Sequence, residues 1–175
     1  MAAQDFSAII ARIREVLTDG AVVVRRGIPV GQFRWTTGRD EPTRLPASAG
    51  NLPTVDVVIA DVRDSEGTPG NESGDWWLLE IRAVVSVVYQ FGGGNALPFP
   101  GGGERQSVLT RASNDSLRIR GVLSYPENLS RDAGGNDTGL CSGHLQYVGT
   151  EGEFLDSAYV ARHTFLGRVE ITPPV

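Results

Sequence analysis

Apolar and polar positions alternate through "WWLLEIRAVVSVVY", residues 76–89, a run of fourteen residues with neither Gly nor Pro. Leu79, Ile81, Ala83, Val85, Val87 and Tyr89 fall on one face. Leu78, Glu80, Arg82, Val84, Ser86 and Val88 fall on the other. A period of two with β-branched residues predicts a strand, packed on its apolar face and partly wet on its mixed face. Strands usually run about 5–6 residues, so one this long needs an equally long neighbour. Residues 157–172 provide it. There Tyr159, Ala161, His163, Phe165, Gly167, Val169 and Ile171 alternate with Val160, Arg162, Thr164, Leu166, Arg168 and Glu170. Antiparallel pairing of these two stretches would account for both lengths.

The same reading places the other elements. Phe6, Ile9, Ile10, Ile13, Val16 and Leu17 recur at helical spacing, with Asp5 placed to cap the start and Gly20 past the end. Residues 21–26 and 54–62 read as strands, with a short strand around 32–35. On the 54–62 strand, Val55, Val57 and Ile59 share one face. Residues 63–75 are rich in Gly and acid and lack an apolar anchor. They predict a long loop joining the 54–62 strand to the 76–89 strand as a hairpin. Residues 91–103, with two triple-glycine runs around Leu97 and Phe99, predict a second extended loop. A second helix is expected over 104–123. Val108, Ala112, Asp115, Ile119, Val122 and Leu123 align on it, with Leu109 and Leu117 beside them. Residues 125–140 read as loop, 143–150 as strand, and "EGEF" at 151–154 as the turn into the last strand. The order helix, strands, helix, strands predicts α+β: an antiparallel or mixed sheet with long strands, two helices on one face and long projecting loops.

Composition narrows the function. A chain of 175 residues suits one domain, here 1–175, and needs no staples to fold. Its one cysteine, Cys141, cannot form an internal disulfide. No apolar run reaches the roughly 18 residues of a membrane span, and the charged N-terminal stretch does not read as a signal peptide. A net charge of −5 makes the chain as a whole a poor nucleic-acid binder. All 16 basic residues are Arg, so lysine chemistry is excluded, and Arg favours fixed, bidentate contacts of the kind found between subunits.

No catalytic constellation stands out. Cys141 and His144, with His163, offer at most three ligands, short of a structural zinc set, and a Cys–His nucleophile pair has no activating neighbours in sequence. "GGGERQS" lacks the Lys of a phosphate-binding loop. The carboxylates Asp61, Asp64, Glu66, Glu72 and Asp75 cluster in a Gly/Pro loop, readable as a solvated tip or as an acidic surface that repels DNA or meets a basic partner. No cofactor or metal is expected.

Taken together, "FSAIIARIREVL", "TVDVVIADV" hairpinned to "WWLLEIRAVVSVVY", "SLRIRGVL" and "YVARHTFLGRVEI" resemble the tail-terminator (tail-completion) proteins of long-tailed bacteriophages. The resemblance covers most of the chain in outline, as pattern rather than signature motif. Residues 27–53 and 63–75 have no counterpart in it. It implies a structural virion protein of the tail and neck, assembled in the host cytoplasm. It implies a homo-hexameric ring on the head-proximal end of the tail tube, ending tube polymerisation and meeting the head-side connector or stopper protein. DNA would pass through the channel without specific binding. On this reading the candidate interaction residues are Asp64, Glu66, Glu72, Asp75, Leu97, Phe99, Arg162 and Arg168. Two other readings stay open: another connector, stopper or tube subunit, and a small enzyme or ligand-binding module using Cys141, His144 and His163.

Overall fold

The computed structural model describes residues 6–18, 33–35, 52–64, 77–91, 103–141 and 143–172. In chain order the elements are α1 (Ser7–Thr18), β1 (Arg34–Trp35), β2 (Thr54–Asp64), β3 (Trp77–Gln90), α2 (Glu104–Leu123), a 3-10 turn (Pro126–Asn128), β4 (Gln146–Phe154) and β5 (Ala158–Ile171). They form one sheet in the order β1-β2-β3-β5-β4. Four strands are antiparallel neighbours, and β1 adds a short parallel pairing at the start of β2. The class is α+β.

The two long strands pair with each other along their whole length, from Trp77 opposite Ile171 to Gln90 opposite Ala158. At about 3.3 Å per residue, fourteen residues span about 45 Å. The predicted apolar face forms the core. Ile81, Ala83, Val85, Val87 and Tyr89 of β3, with Ala161, His163, Phe165, Val169 and Ile171 of β5, are all buried. Both helices seal this face. Ile9, Ile13, Val16 and Leu17 of α1 and Val108, Ala112, Ile119, Val122 and Leu123 of α2 join one cluster with it.

Two bulges keep the pattern in phase. On β2 the register shifts between Ile59 and Asp61, leaving Ala60 as the extra residue. Val62 therefore returns to the helix side, opposite Ile81, instead of flipping to the other face. On β4 the shift falls between Tyr147 and Gly149.

The helix 104–123 appears with the bounds expected from sequence. Its polar middle is accommodated by hydroxyls folded back on the preceding turn: Thr110 to Gln106, Ser113 to Leu109 and Ser116 to Ala112, at 2.7–2.9 Å. Leu117 is a correction. It lies outside the apolar stripe and is 68% exposed. The expected turn at 151–154 is also corrected. Those residues continue β4, and the reversal comes at Leu155–Ser157, closed by Leu155 N–H donating to Ala158 O at 2.8 Å. Arg63 and Asp64, expected in the loop, extend β2 opposite Glu80 and Leu79. The region read as loop at 125–140 contains the 3-10 turn and a bridge from Leu140 to Val169. The expected strand at 21–26, the cap Asp5 and Gly20 lie outside the described residues.

Candidate assembly surfaces

Three exposed features emerge from this frame. The first is the sheet face turned away from the helices. One row across it is Val58, Val84 and Thr164; the next is Asp61, Arg82, Leu166 and Gln146; a third is Arg63, Glu80 and Arg168. Val58 is 49% and Leu166 41% exposed. Arg168 pairs with Glu80 at 3.2 Å, Arg162 with Glu153 at 3.1 Å and Arg63 with Asp61 at 2.8 Å. Exposed pairs of this kind contribute about 0–1 kcal/mol each, so they orient side chains more than they hold the fold. Arg82 is exposed among them and makes no hydrogen bond or ion pair among the described residues. At the other end the face is covered: Val88, Ala158 and Val160 form a second small cluster with Leu155.

The second feature is the end of the β2–β3 hairpin. Val62 and Trp77 are 41% and 47% exposed on the helix side, and Asp64 is exposed beside them. The third is a groove of about 650 Å³ between the C-terminal half of α2 and the start of β4, lined by Leu117, Arg120, Ser124, His144, Gln146 and Tyr147. Arg120 lies over the Tyr147 ring, 5.1 Å from its centre, and pairs with no carboxylate among the described residues. The wall is held by Leu145 N–H donating to Leu123 O at 2.9 Å and Ser124 Oγ donating to Leu145 O at 3.1 Å.

Of the interaction residues expected from sequence, Arg162 and Arg168 stand on the open face of β5, both ion-paired. Asp64 stands on the opposite side of the sheet, so the structure does not bring it together with them. Glu66, Glu72, Asp75, Leu97 and Phe99 lie outside the described residues. Sequence reasoning did not name Trp77, Leu117, Arg82 and Arg120 as interaction residues. Leu117, Arg82 and Arg120 lie off the buried stripes, whereas Trp77 is in phase with the buried face of β3 and exposed at its end, which the alternation alone does not show.

The cysteine and histidines occupy unlike environments. The Cys141 residue is exposed, yet its thiol is partly shielded; burial and then the Glu170 carboxylate push it up to about 12, opposite to an activated thiolate. His163 is fully buried in β5, where burial lowers it to about 4. Its Nδ1 shares a 2.7 Å hydrogen bond with Thr150 Oγ1, which in turn meets the Tyr147 hydroxyl at 2.7 Å. His144 lines the groove and the neighbouring pocket of about 330 Å³ with Glu80 and Arg168. Among the described residues no three His, Cys, Asp or Glu side chains gather as a metal site. No family model matches the chain, and no curated protein matches its sequence.

Proposed function

We propose that this protein is a structural subunit that closes into a ring on the head-proximal end of a phage tail tube. There it stops tube polymerisation and offers its other rim to the head-side connector. The observation that carries this reading is the slab made by β3 and β5. Fourteen residue pairs form a continuous span with most of one face covered by two helices. Its other face is partly open and studded with alternating charges and apolar side chains. A closed ring needs two different surfaces on each subunit meeting head to tail, and a span of this length can carry them on opposite flanks. The resemblance to tail terminators adds the place and the expected six copies. No chemistry is required of Cys141 or His144, and ring formation should survive Cys141→Ser with His144→Ala.

Light scattering with negative-stain imaging, with and without tail tubes, tests the proposal. Discrete rings in solution, or rings appearing only on tube ends, are the expected result. Open-ended cylinders would reassign the chain as a tube subunit. A monomer that ignores tubes at every concentration would overturn the structural reading.

A further inference from the structure

The hairpin end and the α2–β4 groove are matched in kind. The hairpin end offers exposed apolar Val62 and Trp77 beside Asp64, and the chain continues from Asp64 into a segment carrying Glu66, Glu72 and Asp75. The groove offers exposed Leu117 and the cation Arg120, stacked on Tyr147 and lacking a carboxylate partner among the described residues. Arg on an aromatic ring, with apolar surface at its side, is the composition that dominates protein contacts. The two surfaces belong to opposite flanks of the sheet, since β3 and β5 separate β2 from β4. Leu117 is 68% exposed and no described residue of its own chain covers it, while Asp64 and Arg120 carry complementary charges on opposite flanks, where a second copy can bring them together.

We infer that the β2–β3 hairpin end of one copy seats in the α2–β4 groove of a second copy, with Asp64 facing Arg120 and Trp77 against Leu117. This deepens the ring reading and rests on it for the presence of neighbouring copies. Two unlike surfaces make the contact heterologous, the kind that closes rings or runs on into filaments.

The experiment is association of the full chain, followed by sedimentation and light scattering over a wide concentration series. Arg120→Glu and Leu117→Asp disable the groove; Trp77→Ser and Asp64→Arg disable the hairpin end. All four side chains are exposed, and circular dichroism checks that each variant folds. Each is expected to weaken association about tenfold or more. Mixing R120E with W77S leaves one intact contact, the W77S groove holding the R120E hairpin, so heterodimers should form and growth should stop there. The double variant D64R/R120E in one chain puts the two reversed charges against each other in every contact, which should recover part of the lost affinity.

Wild-type association by all four variants would overturn the proposal. A wild type that stays monomeric throughout, with tail tubes added as well as without them, would do the same. So would a mass unchanged by Leu117→Asp while protease access to residues 65–76 rises, since that places the chain's own segment in the groove. The two readings fail differently. Discrete rings from all four variants would sink this contact and leave the ring standing. Open chains or dimers that are lost in the variants and ignore tail tubes would keep this contact and sink the ring.

Discussion

Asp115 shows how a charged side chain comes to occupy an apolar stripe. It is 1% exposed on the buried face of α2 and accepts a 3.1 Å hydrogen bond from the Tyr89 hydroxyl of β3. Arg111 and Arg118, one turn to either side, approach its carboxylate at 3.6 Å. Burial, then the Asp115 charge and hydrogen bond, raise Tyr89 well above the usual phenol range, so this phenol donates and stays neutral. Asp115→Ala would strand the Tyr89 hydroxyl in the core and should cost about 2–3 kcal/mol in urea unfolding. Asp115→Asn keeps an acceptor and should cost less; equal losses would mean the hydrogen bond is not what matters. His163 sets a second prediction. Its folded value of about 4 lies below the ordinary 6.5, so the unfolded chain holds the extra proton between the two. Stability is full above pH 6.5, falls as pH drops, and has lost about 3 kcal/mol by pH 4. His163→Gln should flatten that part of the stability–pH curve; an unchanged slope would place the acid sensitivity elsewhere.

Between elements, one buried arginine fastens α1 to the rest of the fold. Arg12 is 3% exposed; its Nε donates to Asn128 O at 2.7 Å and its guanidinium pairs with Glu15 at 3.1 Å. Asn128 is itself buried and its Nδ2 donates to Val122 O at 3.1 Å, which carries the connection to the end of α2. Arg12→Ala leaves the Asn128 carbonyl without that donor and should cost about 1–3 kcal/mol. Hydrogen exchange should show α1 amides opening ahead of β3 and β5; a uniform change across all elements would contradict this role. The sheet core and α2 were legible in sequence because burial on one face imposes a strict period on Ile81–Tyr89, Ala161–Ile171 and Val108–Leu123. Arg12 was not, because its partner lies 116 residues away. Residues 151–154 were missed because an edge strand exposed on both faces shows no alternation, and Glu-Gly-Glu then looks like a turn. At the surfaces, Arg162, Arg168 and Asp64 could be named as exposed charges. Their separation onto two sides of the sheet depends on the Ala60 bulge, which sequence does not announce.

For the whole molecule, charge decides what the proposed ring could hold. The chain carries −5, and the arginines it shows are largely engaged: Arg63, Arg162 and Arg168 by carboxylates, Arg105 and Arg120 over the Phe154 and Tyr147 rings. Binding to duplex DNA draws most of its affinity from cations that neutralise phosphates and release counterions. Joining several copies multiplies the negative charge, so an assembly should repel a duplex rather than grip it. Repulsion would suit the proposed ring, through which DNA would have to pass without pausing. Fluorescence anisotropy with a labelled duplex, at low and at physiological salt, should show no retention by the assembled protein at either. Binding that weakens steeply with added salt would reveal a basic track across subunits, and the ring would then have to be counted as a DNA-holding part of the particle. Binding that ignores salt would have to come from base stacking or insertion, which a lumen that only lets DNA pass would not provide.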